Sequence, residues 1–154
     1  MTAPVTMPGA QGEMIFVASR LFGPLHVAPA DLIVMPEGML GFAGERRFVL
    51  LPAAPKNVFW LQNVDDGALI FLLVDPFEFF PDYAVEAPDL PDERTEDVAV
   101  LSIVTLPRQK GDLCTVNLQG PLVFDFPRRQ VRQLIQDDKR YHTRHPVDLR
   151  EKLG

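Results

Sequence analysis

Prolines constrain this chain more than any other feature: there are fifteen in 154 residues, and most stand between short apolar runs. A proline fixes its own φ and has no N–H, so it disrupts a helix interior or a central strand but is harmless where an element ends. Pro36, Pro52, Pro76, Pro88, Pro91, Pro107, Pro121 and Pro127 therefore act as punctuation, leaving little room for long helices. The runs between them predict strands at 14–19, 32–35, 48–51, 58–63, 69–74, 83–86, 98–106, 113–118, 122–126 and 130–136. One or two helical turns fit near 89–95 or 137–143.

Two of these runs are apolar on both faces. Residues 69–74 carry no polar group, and in 98–106 Val98, Val100 and Val104 alternate with Ala99, Leu101 and Ile103. Such strands belong in the middle of a closed or two-layered sheet. Leu122, Phe124 and Phe126 alternate with Val123 and Asp125, which predicts one buried and one wetter face. The expected fold is all-β, a compact single-domain antiparallel β-barrel-like structure. It is expected to span residues 14–147, between a flexible tail at 1–13 rich in Pro and Gly and a charged tail at 148–154.

The single Cys114 rules out an internal disulfide framework. Residues 1–13 have neither a basic nor an apolar signal-peptide region, and the longest apolar run, 68–74, is far below the ~20 residues a spanning helix needs. A reducing cytoplasm and no membrane association are the expectation. Net charge is −6, unevenly placed: residues 65–97 hold eleven carboxylates against Arg94 alone. That field would repel a phosphate backbone and attract a basic partner, or it is a solvated face that keeps the protein soluble.

Catalytic and metal constellations are sparse. His142 and His145, with Asp137 and Asp138 upstream, have spacing a metal could use. Pro146 disfavours a helix at His145, however, and Arg144 sets a fixed cation between the two histidines. A polar C-terminal segment docked on the barrel is the better reading. Cys114 lies in an apolar-flanked strand, as buried structural thiols do, and Ser19 and Ser102 lack a nucleophile elbow. No glycine-rich phosphate loop occurs. Arg128, Arg129 and Arg132 lack interleaved aromatics, so they read as a charged edge strand rather than a nucleic-acid surface. The expectation is a protein with no catalytic residues, no cofactor, no metal and no direct nucleic-acid contact.

The densest segment is Asp75-Pro76-Phe77-Glu78-Phe79-Phe80-Pro81-Asp82-Tyr83. A plain core strand would not carry so many charges, nor a plain solvated loop so many rings. Some rings must enter the core, and the rest would form a recognition edge. Five further segments accompany it in order: Pro-Glu-Gly-Met-Leu-Gly-Phe (36–42), Phe-Trp-Leu-Gln-Asn-Val-Asp-Asp (59–66), Ile-Val-Thr (103–105), Thr-Val-Asn-Leu-Gln-Gly-Pro (115–121) and Tyr-His-Thr-Arg-His-Pro (141–146). Together the six resemble the FliW family of flagellar assembly factors, from about residue 14 to about residue 147.

The resemblance implies a β-barrel-like fold and a non-catalytic role. FliW proteins bind flagellin in the cytoplasm and antagonise CsrA, a small RNA-binding translational repressor, by an allosteric route. Flagellin occupies FliW while it accumulates; once it is exported, freed FliW binds CsrA and relieves repression of flagellin translation. On this reading Asp82, Glu86, Asp89, Asp92 and Glu93 are expected on the CsrA-facing surface, where complementary charge would steer a basic partner. Phe79, Phe80 and Tyr83 are candidates to line a groove for an apolar flagellin segment, with core packing the competing role for each. A flagellin chaperone without a CsrA link, or a small-molecule-binding barrel, are the alternatives.

Overall fold

The computed structural model describes residues 13–53, 57–87, 90 and 96–149. Its strands are β1 (Ile15–Ser19), β2 (Gly23–Val27), β3 (Ile33–Val34), β4 (Arg47–Ala53), β5 (Val58–Asn63) and β6 (Ile70–Val74). A short helix α1 (Pro76–Phe79) follows, then β7 (Val98–Thr105), β8 (Cys114–Val116), β9 (Leu122–Asp125), β10 (Gln130–Gln133) and β11 (His145–Val147).

Seven strands close a barrel in the order β7-β6-β5-β4-β3-β10-β9, with β9 returning to pair β7. The closure depends on β7 dividing one edge between two partners. Val98 to Leu101 face β9, whereas Val104 and Thr105 face β8, to which β11 adds as an outer strand. Pairing is antiparallel except at Gln130↔Val34. Pro146 sits in β11, at the end of the sheet order, where a missing N–H costs no ladder bond.

Alternation along the strands sorts side chains between two apolar layers. Inside the barrel, Phe48, Leu61, Leu73, Leu101, Leu122 and Phe124 form a closed core. Outside, one cross-strand row runs Leu51, Trp60, Leu72, Val104, Val116 and His145 across six strands. This outer row explains why β6 and β7 are apolar on both faces: the outer wall is itself covered.

Two covers do this. The β1–β2 hairpin seals one end, packing Val17 and Val27 on Val49 and Val64. A buried polar staple holds it there. Ser19 Oγ donates to Gln62 Oε1 at 2.7 Å, while Gln62 Nε2 donates to the carbonyls of Asn63 and Gly67. Gly67 is required because a Cβ there would collide with the Ala18 carbonyl. The second cover is the segment 75–86, an arch over the outer faces of β6, β7 and β8.

Several expectations are corrected. Residues 83–86 are not a strand, because side chains rather than a ladder satisfy their backbone. Residues 137–143 form a turn, not a helix; the proposed turn at 89–95 lies, apart from Leu90, outside the described residues. Helix α1 arises instead where Asp75 accepts from the Phe77 N–H and Pro76 takes the first helical position. Arg128 and Arg129 occupy the β9–β10 turn, and β10, which carries Arg132, lies within the closed barrel, so these arginines do not form a charged edge strand. Val123 is buried with its neighbours rather than wetter. β2 and β11 are additional to the expected strands, and each contains a proline, Pro24 and Pro146.

Candidate partner-binding groove

The aromatic–acidic segment divides its rings between anchoring and display. Phe77 and Tyr83 face each other at 5.6 Å, and Tyr83 meets Tyr141 edge-on at 4.8 Å. The Tyr83 hydroxyl donates to the Leu118 carbonyl at 2.6 Å, and burial pushes its pKa upward. Tyr141 in turn accepts from the Ala84 N–H at 3.0 Å. Gln136 then clamps Glu86, accepting from its N–H at 3.1 Å and donating to its carbonyl at 3.3 Å. The arch is thereby bolted to the C-terminal segment at three points.

Phe79 and Phe80 are only half-buried. With Pro81, Asp82 and Tyr83 they form one wall of a groove of about 360 Å³, whose other wall is Leu118, Arg140, Tyr141 and His145. Phe80 meets the His145 imidazole edge-on at 5.8 Å. The structure thus gathers all three proposed groove residues into one depression. Tyr83, 5% exposed, contributes to the core as well as the wall.

The acidic candidates divide differently. Asp82 and Glu86 are exposed. Asp89, Asp92 and Glu93 lie outside the described residues. Beside the groove, a second depression of about 210 Å³ brings Glu86 together with Asp137, Asp138 and Arg140. Asp138 is locked to Arg140 at 2.6 Å, which holds its carboxyl down at about 2. Burial raises the Asp75 carboxyl at the start of α1, its hydrogen bond from Phe77 opposing the shift.

Asp137, Asp138, Arg140, Tyr141 and His145 were not proposed as site residues, although they complete both depressions. The available signal was the segment 141–146, read as one of six ordered pieces but not assigned to the same surface as 75–83. Among the described residues no cluster of three or more His, Cys, Asp and Glu could hold a metal. His142 and His145 stack on one another instead, their ring centroids 3.8 Å apart. Cys114 is half-buried and packs against the outer apolar layer. Among the described residues no helix is long and apolar enough to cross a membrane.

The FliW protein family profile matches residues 16–147, both covers and the whole barrel included. The chain belongs to the FliW family. It is 34% identical over 139 residues to the flagellar assembly factor FliW of Natranaerobius thermophilus, covering 85% of this chain and 91% of that one. To the flagellar assembly factor FliW of Geobacter sulfurreducens it is 38% identical over 138 residues, covering 84% of each chain. A crystal structure of the flagellar assembly factor FliW superposes with a TM-score of 0.73 at 32% identity, covering 85% of this chain and 95% of that one. The arch and the groove beneath it therefore lie inside the span shared with other FliW proteins.

Proposed function

We propose that this FliW-family protein acts in the cytoplasm by partner switching, without catalysis. It binds flagellin in the groove between the arch and the C-terminal segment, and it binds CsrA through the adjoining acidic surface. Flagellin export would then free the protein to relieve CsrA repression of flagellin translation. The observation that carries this reading is that Phe79 and Phe80, both half-buried, line the groove beside Tyr83, which its hydroxyl and Tyr141 hold in place. Half-buried rings on a rigid support offer apolar contact area at small entropic cost, as recognition surfaces do. The carboxylates of Asp82, Glu86, Asp137 and Asp138 sit next to them, placed to attract a basic protein.

A competition titration with purified partners tests the switch. Flagellin and CsrA should each bind, and saturating flagellin should reduce CsrA binding. Flagellin binding with no CsrA binding at any ratio would leave a flagellin chaperone. Binding of neither would end the proposal.

A further inference from the structure

The C-terminal wall of the groove is held by two histidines used in an unusual way. The His142 N–H donates to Nε2 of His145 at 3.0 Å, and the Arg144 N–H donates to Nδ1 of His142 at 3.3 Å. Each ring thus spends its acceptor nitrogen on a backbone donor, while the rings stack at 3.8 Å and 17°. The His142 carbonyl accepts in turn from the N–H groups of Leu118 and Gln119, tying the turn to the bend between β8 and β9. His145 pairs with Val116 and supports Phe80 on the groove side.

A neutral imidazole has one acceptor nitrogen; the protonated ring has none. Protonating either histidine therefore breaks the N–H bond it accepts, turns the nitrogen into a donor facing a donor, and places a cation against the stacked partner. Protons can reach both, since His142 is exposed and His145 half-buried. We propose that the His142–His145 pair is an acid-sensitive latch: neutral rings close the groove wall, and protonation releases it from Phe80. The latch rests on the groove being the partner site proposed above, and adds a control to it.

The surroundings favour the closed, neutral state. Burial, then the neighbouring His142, lowers the pKa of His145. The groups around the pair are Tyr141 on the same turn, Tyr83 and Asp82 from the arch, Arg140 with its partner Asp138, and the exposed Arg144, which lies between the two histidines in sequence. Asp148 follows β11 and Cys114 faces Val147 from β8. Arg140 and Arg144 stay charged throughout and oppose added positive charge. The sign follows for His145: the unfolded chain takes up a proton on this ring before the folded one does. The stabilisation is complete above the free imidazole value of about 6.5 and is lost as pH falls through the lowered folded value.

The test compares the protein with the double variant His142→Asn, His145→Gln. Asn Oδ1 stands where Nδ1 was and Gln Oε1 where Nε2 was, so both acceptors survive without titrating. Between about pH 7.5 and about pH 5.5 the unsubstituted protein should lose about 2–4 °C more in thermal midpoint than the variant. Its His142 and Arg144 amide resonances should move in step with the imidazole titrations. Identical pH profiles, or amides that stay fixed while the rings titrate, would overturn the latch. If the variant does not fold, the amide readout on the unsubstituted protein decides alone. Asp75, whose carboxyl is also raised, is unchanged in the variant, so its contribution cancels. Flagellin affinity at neutral pH is measured separately. Loss of that affinity with a working latch defeats the partner reading only, while full affinity at neutral pH with no amide response defeats the latch only.

Discussion

The barrel interior and the arch over its outer wall are built from similar residues, yet they bury them differently. Inside, Phe48, Phe124, Leu61 and Leu73 are fully enclosed. The lumen is filled by side chains, as in other small barrels. On the arch only Tyr83 is enclosed and tied by its hydroxyl, with Phe77 stacked beside it, while Phe79 and Phe80 are half-buried and line the groove. A hydroxyl bonded to a carbonyl fixes direction in a way that apolar contact alone does not. The difference teaches that the lumen supplies stability and the arch supplies a shaped surface, held in place by directional bonds.

The largest effect should come from breaking the first region. Phe124→Ala removes a wholly buried ring from the inner core and leaves a cavity, at a cost of about 3–5 kcal/mol. Chemical denaturation should show the loss as a lowered midpoint with an unchanged slope. A cost near zero would mean that the lumen is not the stabilising region.

Tyr83→Phe attacks the arch from its anchored side. The ring stays while the Leu118 carbonyl loses its 2.6 Å donor, a cost of about 1–3 kcal/mol. Amide exchange should quicken over residues 83–86 before the barrel strands respond, because the change loosens the cover rather than the core. Uniform acceleration across the barrel would show that lumen and arch unfold as one unit.

The barrel was legible in the chain because its signals are local. Most prolines mark strand ends, although Pro24, Pro52 and Pro146 lie within β2, β4 and β11. Double-sided apolarity in β6 and β7 pointed to central strands of a closed or two-layered sheet. What failed was local signal overridden by distant partners. Tyr83 to Glu86 alternate like a strand, but Tyr141 and Gln136 supply the bonds a ladder would have given. The groove was half legible: Phe79, Phe80 and Tyr83 declare themselves by density, whereas Arg140, Tyr141 and His145 reach them only through folding. Nothing in the spacing of residues 137–146 announces that they form the opposite wall.

Phe80→Ala removes a displayed ring instead. Half-buried, it should cost about 1 kcal/mol, leaving a folded protein by circular dichroism. Flagellin binding by titration calorimetry should weaken by about tenfold or more, as expected for an aromatic anchor. Loss of folding would return Phe80 to the core and erase the distinction between anchored and displayed rings.

Charge reversal should disturb stability least while altering recognition most selectively. Asp82 and Glu86 are exposed and bear no salt bridge among the described residues, so Asp82→Lys with Glu86→Lys should change stability by no more than about 0.5 kcal/mol. Because Glu86 shares its depression with Arg140, the added lysine also sets two cations side by side where Asp137 and Asp138 otherwise balance one. A basic partner such as CsrA should then associate more slowly, and the deficit should shrink as salt rises and screening shortens toward a few Å. Flagellin, proposed to dock on the rings of Phe79 and Phe80 rather than on charge, should lose less even though Asp82 shares their wall. Equal losses for both partners would show that one surface serves both, and unequal losses that do not respond to salt would show that shape, not charge, selects CsrA.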